Sequence, residues 1–150
     1  MSLKQKITAD LLTAMKAGDN LKRDVLRMLE AMIKNTEIEK LKKEEGLIDS
    51  EVQEVIGRAV KQRKDAAAQY AAGNRPELAE KENQEIEILL TYLPRQFDET
   101  EVREVVEETI VQAGATSASE IGKVIGLAMK KLKGLADGNL VKKIAEEKLR

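Results

Sequence analysis

The chain has 150 residues and a formal net charge of -1, so an argument for a polyanionic partner has to rest on a local basic face. It contains no Cys and no His, which excludes disulfides, thiolate zinc sites, thiol nucleophiles and imidazole acid–base chemistry together. Charged residues make up 35% of the sequence, above the roughly one quarter usual for globular domains, and this composition predicts solvent-bathed amphipathic helices.

In chain order, Ser2 is placed to cap a first helix with the apolar positions Leu3, Ile7, Leu11, Ala14 and Met15, interrupted by Gly18-Asp19-Asn20. A second stripe, Leu21, Val25, Met28, Leu29, Met32 and Ile33, predicts a helix running to about Lys43. Ser50 followed by Gln53 reads as a capping box that opens a third helix with the stripe Val52, Val55, Ile56, Ala59, Val60, Ala67 and Tyr70. Gly73-Asn74 stops it. Pro76 then suits the first turn of a fourth helix, carrying Leu78, Ile86, Leu89, Leu90 and Leu93 and closed by Pro94.

Beyond Pro94 three shorter helices are predicted. Asp98 with Glu101 opens the first, closed by Gly114; Ser117 with Glu120 opens the second, closed by Gly134; Asp137 caps the third. No segment alternates with a period of two, so the expected fold is all-α: a helical domain over 1–94 and a three-helix domain over 95–150. Residues Met1 to Ala9 precede no apolar core suited to a signal peptide, and no stretch approaches the roughly 20 apolar residues of a membrane span. A cytoplasmic location without membrane association is the default expectation.

Three local features invite a chemical reading. Arg63 lies in phase with the apolar stripe of its helix, and a guanidinium there must find acceptors or incur a large desolvation cost. Glu85, Glu30 and Glu37 are the candidate partners, and Arg27, Lys61, Gln62 and Asp65 are the further candidates for a structural polar cluster around it. Gly122-Lys123-Val124-Ile125-Gly126 sets two glycines four apart on one helix face, which costs helix propensity and predicts close packing on a neighbouring helix, with room for a ligand backbone as the alternative. From Gly114 to Arg150 the chain carries eight cations against four carboxylates, a local excess suited to phosphate contacts. Tyr70, Tyr92 and Phe97 all fall outside that region, so base stacking on an aromatic platform is not expected.

The run Gly122-Lys123-Val124-Ile125-Gly126, then Lys133-Gly134-Leu135-Ala136-Asp137-Gly138 and Leu140-Val141, resembles the tail domain shared by the GatB component of the glutamine-dependent tRNA amidotransferases and the stand-alone YqeY proteins. The front half is similar to the stand-alone branch, through Leu26-Arg27-Met28-Leu29, Lys61-Gln62-Arg63-Lys64-Asp65, Tyr70, Gly73, Arg75, Leu78-Ala79, Glu82 and Tyr92-Leu93-Pro94-Arg95-Gln96. The resemblance implies a helical N-terminal domain and a tail that contacts the outer corner of tRNA, with tRNA or the tRNA-amidotransferase and aminoacylation machinery as partner and no cofactor or metal. Its label of carbon–nitrogen ligase with glutamine as amido-N-donor belongs to the larger enzyme, whose catalytic centres lie in parts that this sequence lacks. Leu135 departs from the pattern, which usually has Lys or Arg there. On this basis Lys123, Lys130, Lys131, Lys133, Lys142 and Lys143 are the candidate phosphate contacts, with Gly134 and Gly138 allowing close approach. The alternative is a helical protein–protein adaptor with no RNA role.

Overall fold

Seven α-helices and no strand make up the computed structural model, which describes residues 1–150, so the fold is all-α. The helices are α1 (Leu3–Ala17), α2 (Asn20–Glu39), α3 (Asp49–Ala72), α4 (Pro76–Leu90), α5 (Glu99–Ala113), α6 (Ile121–Leu132) and α7 (Gly138–Lys148). A short 3-10 turn, Ala118–Glu120, leads into α6. The chain divides into two compact units, Met1–Leu93 and Pro94–Arg150.

In the first unit α1 to α4 pool their apolar stripes into one core, with Ile7, Leu26, Leu29, Ile33, Ile56 and Leu89 essentially inaccessible to solvent. Each such side chain contributes about 2 kcal/mol by leaving water. Ser2 caps α1 through a reciprocal bond with Gln5, and Gly18 ends it at φ +71. Three boundaries differ from the sequence expectation. The second helix stops at Glu39 and not near Lys43, because the Lys42 amide turns back to the Glu37 carbonyl (2.8 Å) and Leu41 takes a left-handed conformation, φ +56. The third helix is capped at Ile48 and not at Ser50: the Glu51 carboxylate reaches back to the Ile48 amide (3.2 Å), while Asp49 accepts from the Leu3 amide (2.9 Å). The fourth likewise ends at Leu90, short of Pro94, in a turn that brings Tyr92 inward to donate to Asp10 (2.6 Å).

Two buried polar groups fasten this unit. Arg63, only 5% exposed, donates from Nε to Glu85 Oε2 (3.1 Å) and from Nη1 to the Ala59 carbonyl (3.0 Å), with Nη2 at 3.1 Å from Met28 Sδ. One guanidinium thus ties α2, α3 and α4 together. Glu37, buried at the end of α2, accepts from Lys4 Nζ on α1 (2.7 and 3.0 Å) and from the Leu47 amide (3.0 Å). Gly46 at φ +76 passes directly over it, where a Cβ would lie 3.1 Å from Oε2. Beside it Lys40 and Lys42 both fold onto Glu51.

In the second unit α5, α6 and α7 close around Val102, Val106, Val124, Ala128, Leu132, Val141, Ile144 and Ala145, all fully buried. The start signals lie where the sequence places them. Asp98 accepts from the Glu101 amide (2.8 Å), Ser117 and Glu120 form the box before α6, and Asp137 accepts from the Asn139 amide (2.9 Å). Gly114 and Gly134 supply the left-handed stops, at φ +65 and +77.

Removing one partner of the buried pair leaves the other charge uncompensated, so Glu85→Ala should cost about 3 kcal/mol in urea denaturation, and Arg63→Met with Glu85→Leu should restore most of that loss. A Glu85→Ala variant as stable as the parent would show that the pair holds nothing. The acid limit follows from the other fastening. Burial alone would push the Glu37 carboxyl up, but hydrogen bonds from Lys4 and the Leu47 amide, with the Lys4 charge, hold it below 4.5. The Lys42 ammonium, the Ile48 amide and Lys40 bring Glu51 down to about 2. The folded form therefore binds fewer protons than the unfolded chain between these values, so this stabilisation is complete above 4.5 and lost as pH falls toward 2. Melts followed by circular dichroism should show a midpoint steady above pH 4.5 and dropping below it; a flat midpoint down to pH 2 would contradict the assignment.

Candidate nucleic-acid interface

The apolar register of α6 decides which of its residues face water. Val124, Ala128 and Leu132, spaced by four, are each 0% exposed. The helical period then carries Gly122, Gly126 and Lys130 outward along the opposite side, with Lys123 next to them. The two glycines do not pack against a neighbouring helix as the sequence suggested: both are exposed, and no atom stands within 4 Å of the place where a Cβ would sit on either. The core is filled from the other side of the helix, so nothing inside the unit requires their small size.

The candidate cations do not form one uniform patch. Lys123, Lys130, Lys142 and Lys143 are exposed and have no ion-pair partner. Lys131 turns toward α5 and donates to Gln112 Oε1 (2.6 Å), with Thr109 Oγ1 at 3.4 Å. Lys133 is exposed yet engaged within the structure. Lys148 is taken by Glu107 (2.6 Å), and Arg103 by Glu99 and Glu147. Among the tail lysines α5 thus neutralises Lys148 through Glu107 and holds Lys131 by uncharged groups, while Lys123, Lys130, Lys142 and Lys143 on α6 and α7 stay free.

The turn between α6 and α7 is held from a direction that no local sequence signal announces. Gln96 Nε2 donates to the Gly134 carbonyl (2.9 Å) and to the Pro94 carbonyl (2.9 Å), and the Phe97 amide donates to the Leu135 carbonyl (2.7 Å). Leu135, where a cation was expected, is half-buried and offers its backbone. Gly134 needs its left-handed φ of +77, whereas a Cβ on Gly138 would meet only Met129, at an ordinary 3.8 Å. Arg95 adds no free charge, since Glu101 holds it in a two-pronged bond (2.8 and 2.6 Å) and its guanidinium lies over the Phe97 ring. That same bond, followed by the Asp98 amide, draws the Glu101 carboxyl down to about 2.

In the first unit the candidate polar cluster contracts to one pair. Glu85 reaches Arg63, but Glu30 accepts from Thr8 (2.8 Å) and Glu37 from Lys4. Arg27, Lys61, Gln62 and Asp65 are exposed and stand apart from the buried pair, because their helix phases direct them to water.

Among known proteins, the family model described as YqeY-like protein matches residues 4–149. The protein of Clavispora lusitaniae named altered inheritance of mitochondria protein 41, mitochondrial, is 33% identical, over 79% of this chain and 68% of its own length. Its namesake in Kluyveromyces lactis is 39% identical over 55% of this chain and 44% of that protein, and the one in Candida glabrata is 36% identical over 56% and 46%. The chain thus spans less than half the length of several curated relatives that it matches. Their mitochondrial names overturn the expectation of a cytoplasmic location, which rested only on the lack of a recognisable leader and on no positive signal. With the helical architecture and a match that covers nearly every residue, the chain belongs to the YqeY family.

Proposed function

We propose that this chain is a non-catalytic tRNA-binding accessory protein whose phosphate contacts are made by the open side of α6 and the adjoining lysines of α7. One observation carries the reading: Gly122 and Gly126 leave bare backbone on an exposed helix face, and Lys123 and Lys130 on that face have no acidic partner. Glycine inside a helix costs about 1 kcal/mol relative to alanine, and packing within the unit offers no compensation here. A sugar-phosphate backbone that approaches the helix closely would use both features, since an absent side chain lets the strand in and free ammonium groups meet its oxygens.

The candidate contacts are Lys123, Lys130, Lys142 and Lys143. Lys131 contributes through its bond to α5, and Gly134 through the geometry of the turn. Recognition through charge and shape suits the composition, because the few aromatic rings lie elsewhere. Leu135 and the neutralised Lys148 limit the number of phosphates that the face engages.

Two measurements test this. Binding to a bulk tRNA pool, followed across salt concentrations, should weaken steeply with salt, and Lys123→Ala or Lys130→Ala should each lower the slope of log K against log salt by about one. Affinity that ignores salt, or slopes unchanged by both substitutions, would remove the electrostatic basis of the reading. Gly126→Gln separates folding from binding: it should raise stability by about 0.5–1 kcal/mol while weakening tRNA affinity by about tenfold or more. If stability and affinity both rise, the bare backbone is not a contact.

A further inference from the structure

The guanidinium that joins α2, α3 and α4 has an uneven set of acceptors. Arg63 Nε meets the Glu85 carboxylate and Nη1 the Ala59 carbonyl, but Nη2 meets the thioether of Met28, at 3.1 Å. A thioether sulfur is a weak acceptor, and a poorly matched N–H on a buried charged group is costly. Arg63 is 5% exposed, so little water reaches it to make good the difference.

Met28 itself stands at the boundary of the core. Leu26 and Leu29 beside it are essentially inaccessible, yet Met28 is 45% exposed, with a buried cation behind it and solvent in front. The chain has no Cys, so its five methionines are the sulfurs that an oxidant can reach. Met15 on α1 is also 45% exposed, and its sulfur carries no hydrogen bond, which makes it an internal reference. Oxidation of methionine ordinarily weakens a fold, because it sets a polar oxygen in apolar surroundings. At Met28 the sign reverses. A sulfoxide oxygen is a strong acceptor, and it would give Nη2 a partner of the kind that Nε and Nη1 already have. A separation of 3.1 Å leaves no room for an oxygen between sulfur and nitrogen, so the sulfur must retreat toward solvent, which an unbranched, half-exposed side chain allows.

We propose that Met28 is a reversible oxidation site for hydroperoxides, at which the sulfoxide holds Arg63 more firmly than the thioether does and so tightens the joint of α2, α3 and α4. With hydrogen peroxide, a sulfur lone pair attacks one peroxide oxygen, the S–O bond forms and the O–O bond breaks. Sulfur gives up two electrons, and the departing hydroxide takes the proton of the transferred oxygen and leaves as water. A dithiol reductase runs the return step: the sulfoxide oxygen departs as water, sulfur regains two electrons and the dithiol closes to a disulfide.

The test uses the full chain carrying Met15→Leu, Met32→Leu and Met129→Leu, which leaves Met28 and the terminal Met1 as its sulfurs. After hydrogen peroxide, peptide mass mapping should find one added oxygen at Met28, and the melting midpoint by circular dichroism should rise by about 3 °C. Methionine sulfoxide reductase supplied with a dithiol should reverse both changes. The same background with Met28→Leu should show no rise, which separates Met28 from Met1. Without any peroxide, Met28→Gln, whose amide oxygen stands in for the sulfoxide, should melt about 3 °C above Met28→Leu. Should the triple variant not fold, the parent and its Met28→Leu variant are compared instead, and the parent should come out of peroxide treatment with the more favourable change in midpoint. The proposal is overturned if the midpoint falls or stays still once Met28 carries the oxygen. It is equally overturned if Met28 remains reduced while Met15 of the parent is oxidised, or if Met28→Gln melts no higher than Met28→Leu.

Discussion

Burial of Val124, Ala128 and Leu132 along one side of α6 governs what the other side can be. The second unit has 57 residues, no Trp and no Cys, and its core consists mainly of Val, Ile, Leu and Ala from three helices. A core that small tolerates no rotation of α6, because turning the helix by one residue would replace a buried Val124 with Lys123 or Ile125. The lysines and bare glycines on the outer side are thus held in place by the aliphatic residues behind them. Acidic α5 completes the polarisation by drawing Lys131 and Lys148 to its own edge.

The first unit solves a different problem by a different device. Its four helices are joined by a long bend, and the aliphatic stripes alone would allow sliding along the helix axes. Arg63 and Glu37 restrict that freedom through directional bonds that only one register satisfies. Tyr92 adds a third point, its hydroxyl bound to Asp10 and its ring beneath Lys6; burial, reinforced by that carboxylate, pushes the phenol well above its ordinary value and keeps it neutral. Buried polar groups therefore set the register, and the aliphatic core supplies the bulk of the stabilisation.

Much of the fold was legible because its signals are local. Capping pairs such as Asp98 with Glu101 lie within one turn, as do the left-handed stops at Gly114 and Gly134, and the apolar periodicity of α3 marked Arg63 as a residue in need of an acid. The misread boundaries arose where two local signals competed: Ser50 and Glu51 both offer a way to open α3, and the reach of Glu51 back to Ile48, together with its grip on Lys40 and Lys42, selects the earlier start. The exposure of Gly122 and Gly126 was not legible, because spacing locates a helix face without saying whether another helix covers it. Nor was the role of Gln96, whose partner Gly134 is 38 positions away and is brought near only by the folded unit.

The bond from Gln96 to Gly134 also says where the second unit begins. Pro94 to Phe97 would pass for a connector on composition, yet the Gln96 side-chain amide and the Phe97 backbone amide satisfy the carbonyls of the α6–α7 turn. A fragment cut at Asp98 would keep every helix of the unit but expose the Gly134 and Leu135 oxygens, whereas one cut at Pro94 would retain the clasp. The working edge of this module is thus set by a short unhelical strap and not by the first residue of its first helix.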